Sequence, residues 1–512
     1  MIYMEDPAQL ELFDLFESDF DPGTYRKLVA GFYGVFRASI LALMPAHELA
    51  KKFSATDGRP TKELYSMAGL VLLKEFNGWT IDQAVSAYLF DRQVHFALNM
   101  RRDKPTLCTA TFERYMKQIR EGGLAAQIYN EVTMRLIVDL ELNIEKQRLD
   151  STHVFSDMAT FARTRLLGVT ILRFLIQLKR RHEALYLALP AEIFRRYEKK
   201  QNQLFADSAK DAAKRSALRN EVAREMYDLI QRFSGNAEIE AMTTYKNLVE
   251  IFTQQCEVKS RIKVQPGRKA GEKGAQASTP ASAPVQPEAQ EEIVVEARQK
   301  TGGDVRQNPS DDGATYDGKK GPGYQVQIAE TCHPDNPVQL ITCAIPQTAA
   351  ENDSDAVLPV LDDLIDKGIK PKELYADTAY GGDDNVTCAA ALGTELVAPV
   401  AGPAPASPQP EPKAAGKSTR KKPKEPSGKD KRLAARRRQE ATEEWRNRYK
   451  LRAPIEGTNS GLKRRLGMKR LRVRGRCSVH TTIHLKIAAW NISRAASAPV
   501  MQAKLKARFH LA

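Results

Sequence analysis

The stretch YKLRAPIEGTNSGLKRRLGMKRLRVRG, residues 449–475, decides how this chain is read. Its one carboxylate, Glu456, stands among nine Lys and Arg residues. Glu456 and Lys463 are seven residues apart, about two helical turns, so on a helix both side chains leave one face. That face offers a hard oxygen ligand for a metal ion and a cation for phosphate, which suits work on a nucleic-acid backbone. Proline is comfortable in the first turn of a helix and disfavours helical geometry in the residue before it. The sequence therefore predicts a helix starting near Pro454, with Tyr449 and Arg452 ahead of it.

Charge points to the same partner. The 512 residues carry a formal net charge of +15, with a pI of about 9.4. Residues 413–476 hold 24 Lys and Arg against 6 Asp and Glu, so the basic excess lies in that segment and the remainder is slightly acidic. Such a segment favours a polyanionic partner, although for the Pro/Lys-rich part, 413–431, a merely solvated charge run is an equal alternative. The six cysteines are scattered without CxxC or Cys/His spacing, which speaks against zinc and disulfide frameworks and fits a reducing cytosol. The opening MIYMEDPAQLELFDLF is acidic where a signal peptide is basic, and no uncharged apolar run reaches the roughly 20 residues of a membrane span. A cytoplasmic location without membrane contact is the expectation.

At this length two to four domains are expected. Residues 1–125 read as helical: Leu64, Met67, Leu70 and Leu73, then Ile81, Val85 and Leu89, recur at helical period, with a break at Asn77-Gly78. Short helices around a tight turn suit either helix-turn-helix DNA binding or a packing bundle. The segment 147–154 predicts a strand carrying Asp150 toward its end; alone, such an Asp reads as readily as a turn former or cap. Residues 155–255 predict amphipathic helices, and 263–290, rich in Pro, Ala, Gly and Gln, a flexible linker. GPGYQVQIAETC and VQLITCAIP predict a hairpin, preceded by Asp311 and Asp312 as turn acids. SDAVLPVLDDLIDKG predicts a helix capped by Asp353 or Ser354 and stopped by Gly368. Leu374, Tyr375 and Ala376 form a buried strand that places Asp377 beside a Gly-Gly turn. A further strand is expected at 395–400 and a solvated basic loop around 401–430. Trp445 could serve as a base-stacking platform or as a core residue.

Tyr449, Arg452, Glu456 and Lys463 together resemble the Y-R-E-K signature of bacterial insertion-sequence DDE transposases, and Asp377, Tyr380 and Asn385 are similar to the DxxYxxxxN motif around the second aspartate of that family. The stretch 308–314 is similar to its S-D-x-A stretch, which implies that Asp311 and Asp312 lie near the site but outside the catalytic set. The resemblance implies an α/β fold: an RNase H-like mixed sheet with a large helical insertion, preceded by an all-α N-terminal domain. The implied domains are a DNA-binding helical domain at 1–125, a catalytic domain at 145–495, an insertion at 155–262, a linker at 263–300, a basic loop at 401–435 and a tail at 496–512. It also implies that Asp150, Asp377 and Glu456 are the catalytic residues and hold two Mg²⁺ or Mn²⁺ ions. Tyr449, Arg452, Lys463, Arg464, Arg465, Lys469 and Arg470 would contact DNA. The implied partners are double-stranded transposon ends and target DNA, bound by a homodimer in a synaptic complex associated with the nucleoid. Two other readings use the same residues: a nuclease that cuts without joining, and an inactive DNA-binding regulator derived from a transposase.

Overall fold

The computed structural model describes residues 1–7, 14, 16–100, 105–159, 161–197, 211–263, 290–401 and 427–511. The chain divides into two units, one formed by Met1–Asp157 with Gly323–Ala512, the other by Met158–Pro322. The first is built around strand β1, Lys146–Val154. Its six-stranded sheet also includes β2, Gly321–Thr331, β3, Ile341–Thr348, β4, Glu373–Tyr375, and β5, Glu395–Val397, and the short strand Thr315–Asp317 pairs with β2 as well. Their order is β3-β2-β1-β4-β5, with β1 antiparallel to β2 and parallel to β4. This is an RNase H-like mixed sheet with helical regions around it.

Local sequence accounts for the strands. In β2, Tyr324, Val326 and Ile328 alternate with Gln325 and Gln327, yet all five are buried because the central strands are covered on both faces. The inward polar groups are paired: Gln327 donates from Nε2 to Gln347 and Asp353 at 3.0 and 2.9 Å, and Gln147 donates to the Ile369 carbonyl at 2.8 Å. Asp353 is thus a partner of the sheet and not the expected cap. Residues Asp353–Ala356 form a 3-10 turn without a side-chain cap, and the helix begins only at Val357. Gly368 does end it, with φ +71°.

Helices complete this unit. The N-terminal part includes α1, Leu64–Asn77, α2, Ile81–Phe90, α3, Thr109–Glu121, and α4, Leu124–Asp139, so helix continues past the expected limit at 125. Gly78 takes φ +64° after α1, and Thr80 forms a capping box at the start of α2. After β3 come α5, Val357–Asp366, and α6, Asp383–Ala391, then α7, Gly428–Glu440, and α8, Glu443–Tyr449. Most of the expected basic loop, 402–426, lies outside the described residues. A 3-10 turn, Lys450–Arg452, leads into α9, Ile455–Arg465, with Pro454 at its N-cap as the sequence predicts. Then follows α10, Arg476–Ala496, which packs against α4 and α1. The expected tail contains a helix, α11, Pro499–Arg508, because Met501 and Leu505 bury their side chains.

The second unit is largely helical. Helices Arg163–Arg181, Ala212–Phe233 and Thr243–Gln255 share an apolar core that includes Leu166, Phe174, Met226 and Leu248. A hairpin of Cys256–Lys263 with Gln290–Ala297 closes it, so the last part of the expected linker, 290–297, is a strand. The pairing explains this: IVVEA aligns with CEVKS in register, Val258 opposite Val295. Residues 264–289 of that linker lie outside the described residues.

One buried ion pair ties the sheet to the helix carrying Glu456. Arg148 and Glu330 face each other across β1 and β2, with Nε to Oε2 at 2.8 Å and side chains only 7% and 2% exposed. The second Glu330 oxygen accepts from Thr458 on α9 at 2.8 Å, and Arg148 donates to the Leu451 carbonyl at 3.2 Å. Glu330→Ala should destabilise the protein by about 3–5 kcal/mol, because it strands a buried guanidinium. Urea unfolding measures this, and a loss below about 1 kcal/mol would show that the pair does not hold α9 in place.

Candidate active site

Asp150 is the fifth residue of β1, in the middle of the strand and not near its end. Pairing with β2 continues to Val154, whereas parallel pairing with β4 stops at Arg148. Asp150 therefore lies just past the end of β4. Asp377 follows β4 by two residues and caps a 3-10 turn, its Oδ1 accepting from the Ala379 amide at 2.8 Å. Gly381 is required here, since a Cβ would lie 1.8 Å from the Pro399 carbonyl oxygen. Glu456 stands in the first turn of α9.

The three carboxylates, far apart in sequence, converge on one guanidinium. Arg452 Nη1 lies 2.9 Å from Glu456 Oε1, and Nη2 lies 3.4 Å from Asp150 Oδ1 and 3.8 Å from Asp377 Oδ2. Exposure rises outward, from 14% for Asp150 through 37% for Asp377 to 68% for Glu456. Asn459, one turn after Glu456, donates from Nδ2 to Asp150 Oδ2 at 3.0 Å. Burial pushes the Asp150 carboxyl above its ordinary value; Arg452 opposes this, and Asp377 and Asp353 add to the rise. Burial works against the Arg452 charge, but Asp150, Tyr449, Asp377 and Glu456 together hold its pKa above the usual value. Tyr380 is buried below the site and donates to Gln327 Oε1 at 2.6 Å; burial, then Asp353, Asp150 and Asp377, raise its pKa.

The other predicted residues are distributed around this centre. Tyr449 donates to the Ala376 carbonyl at 3.2 Å, beside Asp377, and stacks on Trp445 with centroids 4.8 Å apart. That stack covers Cys332, Tyr375 and Val397, so Trp445 takes the core reading. Arg448 bonds Glu373 and Glu395, which are register neighbours on β4 and β5. Lys463 is half-buried on α9, and Arg464 and Arg465 are exposed in its last turn. Lys469 and Arg470, also exposed, lie in a segment bonded to the chain leaving β1: the Phe155 amide donates to the Lys469 carbonyl at 3.0 Å. His153, on the opposite face of β1 from Asp150, packs edge-on to Phe155. Asp311 is buried and Asp312 exposed in the second unit. Sequence reasoning missed Asn459 and Glu330. Asn459 had a signal, an amide three residues after Glu456 and so on its face; Glu330 had none, because its role depends on cross-strand register.

Among the described residues, no group of three or more Asp, Glu, His or Cys side chains is close enough to enclose a metal ion. The three carboxylates nevertheless share a cation, the Arg452 guanidinium, and their hard oxygen donors are of the type that binds Mg²⁺ or Mn²⁺.

The three carboxylates thus lie on and beside the central strands of an RNase H-like sheet. Residues 295–492 match the family model described as Transposase DDE domain, so this segment is similar to the DDE domain of transposases. The match takes in Asp377 and Glu456, while Asp150 lies before it. No curated protein and no solved structure shows a significant match to the chain.

Because burial raises the Asp150 pKa, its cost to stability is absent below the ordinary value of 3.8 and sets in as pH rises through the raised folded value. In metal-free buffer, Asp150→Asn should raise the melting temperature at neutral pH, with the gain fading as pH falls below about 4. Melting curves of both proteins across that range decide it; a variant less stable at neutral pH would mean that the Arg452 attraction outweighs burial.

Proposed function

We propose that this protein is a DNA transposase of the Y-R-E-K group, cutting at the ends of its insertion sequence and joining the freed 3′-hydroxyls to target DNA. The observation that carries the reading is the convergence of Asp150, Asp377 and Glu456 on Arg452. Asp150 would hold both of two divalent ions, with Asp377 and Glu456 holding one each. Bound there, such ions supply activation of the attacking hydroxyl and charge stabilisation for in-line displacement at phosphorus.

The chain's own residues do the rest. Asn459 fixes the Asp150 carboxylate, and the Ala379 amide fixes that of Asp377, so two ligands keep their orientation before substrate arrives. Arg452, released from the carboxylates, is free to bind a phosphate by its planar fork. Tyr449 holds the chain beside Asp377 through the Ala376 carbonyl. Lys463, Arg464, Arg465, Lys469 and Arg470 supply affinity for the DNA backbone irrespective of base sequence. A homodimer holding two ends together would complete the assembly.

The test is strand cleavage of a labelled duplex carrying the element's own end, with Mg²⁺ and with EDTA. Asp150→Asn, Asp377→Asn and Glu456→Gln should each lower cleavage by more than about 100-fold, beyond the loss typical of an outer hydrogen-bond partner, while duplex binding survives. Variants that cut as well as the native chain would show the site to be misassigned. Joined products separate a transposase from a nuclease that only cuts, and binding without cutting by the native chain would support the regulator reading. Asn459→Ala should weaken Mn²⁺ binding about 10- to 100-fold, as seen by titration without DNA; unchanged affinity would rule out a role in orienting Asp150.

A further inference from the structure

A cavity of about 370 Å³ lies between the turn joining α1 to α2 and the basic segment that follows α9, all within the first unit. Lys74, Lys486, Arg464, Arg465, Arg470 and Arg472 line it, with Glu75 as the acidic member of the lining. Lys74 and Lys486 are 8% and 6% exposed, and both turn to the equally buried Glu75, with Nζ to carboxylate oxygen distances of 2.6 and 3.5 Å. Two buried lysines thus share one carboxylate, Lys486 donating also to the Glu75 carbonyl at 3.0 Å, and burial works against the Lys486 charge. Buried charge in excess is costly unless an opposite charge completes it.

The four arginines are exposed and add positive charge at the cavity mouth. Arg472 is anchored at the rim, donating to the Gly78 carbonyl at 3.2 Å. Gly78 and Trp79 belong to the α1–α2 turn, so the cavity has one wall from the N-terminal helices and one from the segment after the helix that carries Glu456. A small anion in this cavity would therefore be held from both sides.

We propose that this cavity is a binding site for a backbone phosphate of duplex DNA, held by Lys74, Lys486 and Arg472. The inference deepens the transposase reading and rests on it. The phosphate completes the charge of the Lys74–Glu75–Lys486 cluster, and the DNA is thereby fixed to the N-terminal helices at a point away from the carboxylates. Lys74 and Lys486 act as positioning residues, since they fix where the backbone sits and touch no reacting atom.

Phosphate-ethylation interference on a duplex, with salt-dependent affinity for the same duplex, tests this in the full chain. Lys74→Met keeps the Glu75–Lys486 pair neutral and should fold; Arg472→Gln changes an exposed residue and serves if the first variant does not. Each should remove one or two positions from the native interference pattern and reduce the slope of log affinity against log salt by about 1. An unchanged pattern and slope in a folded variant would overturn the site while leaving the transposase reading intact. Calorimetric titration with inorganic phosphate distinguishes the other source of this chemistry. Phosphate binding lost in Lys74→Met, together with an unchanged duplex pattern, would assign the cavity to a free phosphoanion and overturn the proposal. A native chain that leaves no interference on any duplex would remove the transposase reading itself.

Discussion

The structure depends on the buried pair of Arg148 and Glu330. Desolvating both charges is expensive, and their attraction offsets this only because each partner's remaining capacity is used: Glu330 accepts from Thr458, and Arg148 donates to the Leu451 carbonyl. Those extra bonds are what give the pair its structural role. They fix both ends of the segment 451–458, which carries Arg452 and Glu456, to the two central strands. Removing either partner would leave the other's charge unpaired and loosen the helix that carries Glu456.

Electrostatic necessity organises the site in a second way. Three carboxylates brought together repel one another, and Arg452 supplies the compensating charge. Along the gradient from buried Asp150 to exposed Glu456, the inner carboxylate is held by Asn459 and the outer one by Arg452 alone among the bonds described. Similar compensation appears nearby, where register brings Glu373 and Glu395 side by side and Arg448 bonds both. Around Glu75 two buried lysines share one carboxylate.

Close packing sets the remaining geometry. A Cβ at Gly461 would lie 2.3 Å from the Trp490 ring, so α9 approaches α10 closely enough only with glycine there. Gly381 allows the loop after Asp377 to pass against Pro399, and Arg436 of α7 bonds the carbonyls of Gly381 and Ala398 at 3.0 Å. Such contacts give the carboxylates defined positions instead of a range of them.

The sequence by itself determined the local elements and the chemical type of the site. Pro454 fixed where α9 starts, because a proline ring suits a first helical turn; Gly78 and Gly368 fixed where helices stop, because they adopt positive φ freely. The isolated Glu456 among cations, and Asp377 before a glycine turn, were legible because few other residue types fit those places. Tertiary structure alone decided what depends on pairing across the chain. Asp150 sits in mid-strand because β2 outlasts β4 beside it, residues 290–297 form a strand because 256–263 lies opposite, and Asp353 serves Gln327 because two turns meet there. Glu330, Asn459 and the lysines around Glu75 gained their partners in the same way, since a side chain's charge can be read from sequence but its partner is fixed only by folding.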